Sequence, residues 1–272
     1  MEVTAARVLF NRRERPGVHR LGVAYDAQGR GMRAARFAML AHPDRSRHLL
    51  PRPFSISDSR ASEDGTPVAE FLFKPVGPFT RLMADLREGD ELNVGGLCGN
   101  GFPDPAPDRR PVLLAGGIGN APFAYQVREL LAGPHGSEPS RIHLFLAGRS
   151  RDDLYIQDFV RASGITVIEV TDDGSAGEKG LITQALLRRL PDMGPIEGFA
   201  CGPEPMLRAV QELALKHDFP CHLSVEERMA CGYGVCNACV VEECRDGVAK
   251  GEGWYLKSCT EGPVFEAREI YA

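Results

Sequence analysis

The hydrophobic positions change rhythm twice along the chain. Residues 1–103 carry short apolar runs such as Ala6-Arg7-Val8-Leu9-Phe10 and His19-Arg20-Leu21-Gly22-Val23-Ala24, cut by turn signals at Arg15-Pro16-Gly17 and Ala27-Gln28-Gly29. Further strand-like runs lie at 35–40, 68–74 and 91–94. Many short strands at this spacing predict a barrel or sandwich rather than a parallel sheet. The Pro-rich stretch Pro103-Asp104-Pro105-Ala106-Pro107-Asp108 then marks a domain boundary.

From Pro111 onward, strand-like and helix-like patterns alternate. Strands are expected at 112–115, 142–147, 165–170 and 199–200, and helices at 123–131, 152–162 and 181–190. This alternation predicts βαβ units and a parallel sheet covered on both faces over residues 104–220. The last helix is the clearest, because Met206, Leu207, Val210, Leu213 and Ala214 form one apolar stripe behind Pro205 in the first turn. Residues 221–272 are too few for a large core of their own, and a bound metal group would supply the missing cross-link.

Composition narrows the function class. Apolar residues make up 43% and charged residues 25%, enough for buried cores. The net charge of −5 gives no support for a nucleic-acid partner or an anionic membrane surface. No run approaches the roughly 18 apolar residues of a membrane span. The polar, mixed-charge start is unlike a secretory leader. Eight cysteines in such a chain point to the reducing cytoplasm and to thiols used as ligands or redox groups.

Four of those cysteines carry the most specific pattern. Cys231, Cys236 and Cys239 are spaced C-x4-C-x2-C, with Cys259 at a distance, the plant-type ligand pattern of a [2Fe–2S] cluster. Gly232 and Gly234 let the loop wrap a cluster and turn backbone N–H groups toward its sulfurs. Zinc is the first alternative, although it favours two C-x2-C-like knuckles and only one such pair is evident. Disulfides are the second. Cys244, between Cys239 and Cys259, rivals Cys259 as the fourth ligand.

Three further motifs are individually weak. The turn Gly116-Gly117-Ile118-Gly119-Asn120-Ala121-Pro122 follows a strand and opens a helix, which suits a diphosphate, though a plain tight turn explains it equally well. Cys201-Gly202-Pro203 repeats the arrangement; Cys201 is placed to stand beside a nicotinamide or to serve as a small buried hydrophobe. Arg52-Pro53-Phe54-Ser55 offers a cation and a hydroxyl to a flavin and its phosphates, or is an ordinary surface loop.

Taken in order, these motifs resemble the ferredoxin–NADP reductase-like flavoproteins nearly end to end. Within them the chain is similar to the electron-transfer subunits of NAD-dependent (type B) dihydroorotate dehydrogenases. The resemblance implies a multi-domain fold: an antiparallel FAD barrel over residues 1–103, an α/β NAD(P) domain with a parallel sheet over 104–220, and a small [2Fe–2S] module over 221–272. It implies FAD contacts at Arg52, Pro53, Phe54 and Ser55, then at Leu72, Phe73, Lys74, Gly77, Phe79 and Thr80. Phe79 stands where relatives commonly carry glycine. Leu97-Cys98-Gly99-Asn100-Gly101-Phe102 closes the barrel as in relatives. Gly116, Gly117, Gly119, Thr171-Asp172-Asp173-Gly174-Ser175, Gly202 and Pro203 are similar to nicotinamide signatures, with Cys201 as the catalytic candidate. Cys259-Thr260-Glu261-Gly262-Pro263-Val264-Phe265 resembles the segment carrying the fourth cluster ligand, beside Cys231, Cys236 and Cys239.

The electron count gives these parts a reason to share a chain. Nicotinamide exchanges two electrons as a hydride and a [2Fe–2S] cluster takes one, so a flavin must connect them. The expected path runs between NAD(H), FAD, the cluster and an external partner. The resemblance implies that this partner is an FMN-containing subunit converting dihydroorotate to orotate, joined in a heterotetramer for pyrimidine biosynthesis. Two other readings remain. One is a reductase subunit serving ferredoxin, a hydrogenase or an electron-bifurcating complex; the other is a redox-sensing iron–sulfur protein. NAD(H) is expected over NADP(H) from the relatives. Around the second strand of the sheet, Arg149 and Arg151 suit a 2′-phosphate, whereas Asp152 and Asp153 suit a ribose hydroxyl.

Overall fold

The structure, a computed structural model, describes residues 2–44, 50–245, 248–249 and 254–270. Strands β1 (Val3–Arg15), β2 (Val18–Ala24), β3 (Phe37–Ala41), β4 (Arg52–Ala61), β5 (Pro67–Phe73) and β6 (Glu91–Cys98) close into an antiparallel barrel in the order β1-β2-β5-β4-β3-β6. Alternate side chains, including Val8, Leu21, Ile56, Phe71 and Leu92, fill its interior. Between β5 and β6 lies helix α1 (Pro78–Asp85). Gly77 caps it, and the Gly77 N–H donates to Thr80 Oγ1 at 2.9 Å.

Two of these elements differ from the sequence expectation. β4 is a ten-residue strand that begins with the Arg52-Pro53-Phe54-Ser55 motif, a segment not among the strands expected from the sequence. Its partners on both sides, β3 and β5, supply the ladder that its Pro and polar residues would not predict. Helix α1 interrupts a segment read as mainly β.

The second body is a seven-stranded sheet built from β7 (Arg110–Gly116), β8 (His143–Gly148), β9 (Thr166–Thr171), β10 (Glu178–Lys179), β11 (Ile196–Cys201) and β12 (Cys221–Ser224), closed at one edge by a strand from the C-terminal segment. The order is β10-β9-β8-β7-β11-β12, all parallel. Helices α2 (Phe123–Ala132) and α3 (Asp158–Ala162) cover one face; α4 (Ile182–Leu187), α5 (Leu190–Met193) and α6 (Glu204–His217) cover the other. The period-2 rule is visible on β7, where Val112 and Leu114 join one core and Leu113 and Ala115 the other.

The helix expected over 152–162 is only five residues long. Before it, Leu154, Tyr155 and Ile156 are all buried in extended chain, which three consecutive apolar side chains cannot achieve on one helical stripe. The helix expected over 181–190 is split into α4 and α5.

The C-terminal segment adds β13 (Val240–Glu242), β14 (Cys244–Arg245), β15 (Val248–Ala249), β16 (Tyr255–Lys257) and β17 (Val264–Glu266). β13 pairs with β16 and β14 with β15, while β17 returns antiparallel to β12 and completes the large sheet. Barrel and sheet are joined by a bidentate pair between Arg128 of α2 and the buried Asp58 of β4, at 2.8 and 2.9 Å. Lys74 reaches Asp153 at 2.7 Å, and the Ala34 N–H donates to Glu129 at 3.0 Å.

Candidate functional site

A cleft of about 850 Å³ opens where barrel, sheet and C-terminal segment meet. Its barrel wall comes from the start of β4, the end of β5 and the start of α1. Arg52, Pro53, Phe54, Ser55, Leu72, Phe73, Lys74, Gly77, Phe79 and Thr80 all line it, so every residue expected at the flavin is brought to one place. The volume lies within the range of cofactor clefts. Phe54, Phe73 and Phe79 form an apolar floor, with ring centroids 6.4 Å (Phe54–Phe73) and 6.1 Å (Phe54–Phe79) apart. Polar groups rim it: the Arg52 guanidinium, held by the carbonyls of Leu50 and Pro51, the Thr80 hydroxyl and the Lys74 ammonium. An apolar floor with a cationic rim fits a flat ring bearing a diphosphate. The Phe79 side chain turns into the barrel core, only 4% exposed, and leaves the Gly77 backbone open to approach.

The sheet wall is formed by the carboxyl ends of β7, β11 and β12, where ligands of open parallel sheets bind. Cys201 and Gly119 line the cleft; Gly116, Gly117, Gly202 and Pro203 stand behind them and do not. Most of these glycines serve contact between the two turns. A Cβ on Gly119 would lie 2.4 Å from the Cys201 carbonyl oxygen, one on Gly116 2.5 Å from Met206 Sδ, and one on Gly202 3.0 Å from Gly116 Cα. Gly117 alone has open space and a left-handed φ of +55°. Asn120 is buried and donates to the Tyr155 carbonyl, which explains a polar residue at that position.

Burial pushes the Cys201 thiol up to about 12, although a hydrogen bond with Ser224 opposes it. Cys201 is therefore a neutral thiol, suited to packing beside a ring rather than to nucleophilic attack. Beyond β8, the Arg151 guanidinium is held by the Ser175 carbonyl at 2.8 and 3.1 Å. Burial acts to raise the Asp153 carboxyl, but the hydrogen bond and charge of Lys74 outweigh it and leave it below its ordinary value.

The third wall is the approach to the cysteine loop: Ser224 to Ala230, then Ala238 and Pro263. Cys239 and Cys259 pack together in one buried cluster, while Cys231 and Cys236 lie on the loop before them, Cys236 exposed. A [2Fe–2S] cluster asks for four cysteine ligands, two to each iron. Gly232 and Gly234 take left-handed φ values of +77° and +84°, and the Tyr233 N–H donates to Cys231 Sγ at 3.5 Å. Slight burial would raise the Cys231 thiol, yet backbone N–H donors at Tyr233, Cys236 and Val235 bring it down to about 6. Cys239 and Cys259 are buried with Phe37, Met39 and Cys98 of the barrel, whereas Cys244 lies on β14 outside this group.

All eight cysteines are free thiols, so disulfides are excluded. Among the described residues no group of three or more His, Cys, Asp or Glu side chains is placed to hold a metal ion. Asn100 clamps this module to the barrel. Its Nδ2 donates to the carbonyls of Glu261 and Val264, both at 2.9 Å, and its Oδ1 accepts from the Val264 N–H at 3.0 Å.

Sequence reading missed the contribution of residues 224–230, including Glu226, Glu227, Arg228 and Met229, and that of Phe37. No motif marks them. Their position just before Cys231 was the available signal, because a chain leaving the sheet for the cysteine loop must cross the flavin wall.

Known proteins share this arrangement. The profile of the iron–sulfur cluster binding domain of dihydroorotate dehydrogenase B matches residues 226–271, and that of an oxidoreductase NAD-binding domain matches residues 113–212. The chain is 31% identical to the dihydroorotate dehydrogenase B (NAD(+)) electron transfer subunit of Caldanaerobacter subterraneus subsp. tengcongensis, over 97% of each chain. It is 35% identical to that of Bacillus velezensis, over 86% of each. Among solved structures, the NADH-dependent reduced ferredoxin-NADP oxidoreductase superposes with a TM-score of 0.79 at 21% identity, covering 98% of this chain and 89% of that one. A ferredoxin NADP+ reductase from Neisseria gonorrhoeae with bound FAD and NADP superposes at 0.63 and 17% identity, covering 79% and 92%. These structural likenesses show a common fold.

Proposed function

The chain belongs to the electron-transfer subunits of NAD-dependent (type B) dihydroorotate dehydrogenase, and we propose that it carries electrons from a partner oxidising dihydroorotate to orotate, through [2Fe–2S] and FAD, to NAD+. The observation that carries this reading is the single cleft with three walls, one from the barrel, one from the nicotinamide-type sheet and one from the cysteine loop. The flavin supplies the conversion between hydride transfer and single-electron transfer.

The chain's own residues bind and orient. Phe54, Phe73 and Phe79 would floor the flavin, and Arg52, Lys74 and Thr80 would hold its phosphates. Cys201 and Ser224 line the cleft together, and Cys201 would stand beside a bound nicotinamide as a neutral thiol. Cys231, Cys236, Cys239 and Cys259 would hold the cluster, and the packing of Cys259 against Cys239, with Cys244 outside that group, supports Cys259 as the fourth ligand. NAD(H) is preferred because the Arg151 guanidinium is already engaged and offers little to a 2′-phosphate.

The FMN-containing catalytic subunit docks over the outer side of the cysteine loop, in a heterotetramer. Tyr233 and Val235 are exposed beside the exposed Cys236, and Trp254 and Tyr255 are exposed farther along the module opposite Glu243 and Glu242, apolar surface of the kind that partners cover. No helix among the described residues is long and apolar enough to cross a membrane. A cytoplasmic setting suits eight unpaired thiols.

The test is anaerobic addition of NADH to the chain loaded with FAD and cluster. The account expects flavin bleaching and a [2Fe–2S] electron paramagnetic resonance signal. Bleaching without that signal would separate the cluster from the nicotinamide and refute the path.

A further inference from the structure

One buried polar atom beside the cysteine pair has no use in the apoprotein. Ser258 is 0% exposed, and its Oγ has no hydrogen-bond partner among the described residues. Burying an unpaired hydroxyl is unfavourable, and alanine would avoid it. Its surroundings leave few acceptors. The Ser258 N–H donates to the Cys239 carbonyl at 2.9 Å, which fixes the residue against one inner cysteine, and Cys259 is the next residue along the chain. Behind it the space is closed, since a Cβ on Gly262 would come 3.2 Å from Ser258 Cα and 2.5 Å from the Phe265 ring. The two cysteines beside it pack on Phe37, Met39 and Cys98 of the barrel, and the Cys98 thiol faces the Gly95 carbonyl at 3.9 Å.

Ser258 is bound through its backbone to Cys239 and adjoins Cys259 in the chain, so a metal group held by those two cysteines would bring sulfur acceptors to its side. We propose that the Ser258 hydroxyl donates a hydrogen bond to a sulfur of the bound cluster and so raises its reduction potential. This rests on the reading that Cys239 and Cys259 are cluster ligands. A hydroxyl has one proton to donate, and sulfur gains negative charge on reduction, so the bond favours the reduced form. Ser258 is thus a positioning and tuning residue and makes no bond to iron.

The experiment compares the cluster-loaded full chain with Ser258→Ala, Ser258→Thr and Ser258→Cys. Redox titration is followed by electron paramagnetic resonance, and pulsed spectra are recorded in H2O and D2O. Ser258→Ala removes one hydroxyl and adds no bulk, so the variant should still fold and take up the cluster. Its potential should fall, and one exchangeable-proton coupling should disappear. Ser258→Thr should restore both, and Ser258→Cys, a weaker donor, should fall between. An unchanged potential and unchanged couplings in Ser258→Ala overturn the proposal. A parent chain that forms no [2Fe–2S] signal on reconstitution overturns the ligand reading itself, and the proposal with it.

Discussion

Gly119→Ala separates the two uses of glycine in the β7–α2 turn. The added methyl would sit 2.4 Å from the Cys201 carbonyl oxygen and 2.6 Å from Gly202 Cα, both backbone atoms that cannot rotate away. Relief requires the turn after β7 and the turn after β11 to part by about 1 Å, an overpacking cost of about 1–3 kcal/mol. For a chain of this size each kcal/mol lowers the melting temperature by about 2–4 °C, so a fall of roughly 2–12 °C is expected.

Gly117→Asn is the control. Gly117 has nothing within 4 Å of a Cβ, and asparagine tolerates its left-handed φ, so its cost stays below about 1 kcal/mol. Thermal unfolding followed by circular dichroism reads stability, and NADH titration reads the site. Gly119→Ala should lose both melting temperature and NADH affinity, while Gly117→Asn keeps its melting temperature. Equal melting temperatures for the two variants would refute the turn-on-turn contact as the reason for Gly119.

Other outcomes follow from the same geometry. Cys259→Ser should abolish the cluster's visible and paramagnetic spectra and Cys244→Ser should leave them; the reverse result would transfer the ligand role to Cys244. Asn100→Ala strips three hydrogen bonds from the clamp between barrel and cysteine module, a loss of about 1–3 kcal/mol for the groups left unpaired. Cluster absorbance should then vanish at lower temperature than flavin fluorescence changes, and coincident loss at the parent temperature would contradict it. Because burial holds Cys201 up to about 12, it remains protonated between pH 7 and 9, below its own titration and around that of an ordinary thiol. Mass spectrometry of the iodoacetamide-treated, cluster-free chain should show the exposed Cys236 alkylated throughout that range and Cys201 spared. Rapid labelling of Cys201 at pH 8 would count against a neutral thiol.

The periodic parts of the chain were the legible ones. The stripe from Met206 to Ala214 is α6, and the alternation after Pro111 is the parallel sheet, because their burial follows local spacing. β4 was not legible, since Pro53 and its Ser, Asp and Arg residues gain strand geometry only from β3 and β5. Leu154, Tyr155 and Ile156 misled in the opposite sense, as an apolar run whose burial is tertiary. At the site, the C-x4-C-x2-C spacing announced the cysteine loop, because ligand geometry is local. The contact of the turn after β7 with the turn after β11 was invisible, as was the passage of residues 224–230 along the cleft. Both depend on how distant strands stack in the sheet.

The most direct test joins the chain to its expected partner. The chain, loaded with FAD and cluster, is co-expressed with an FMN-containing dihydroorotate-oxidising subunit, and NAD+ reduction is followed at 340 nm on adding dihydroorotate. The account predicts NADH formation that needs both subunits and is lost with Cys259→Ser. A fully reconstituted complex, all cofactors present, that oxidises dihydroorotate with an artificial dye but forms no NADH would contradict it.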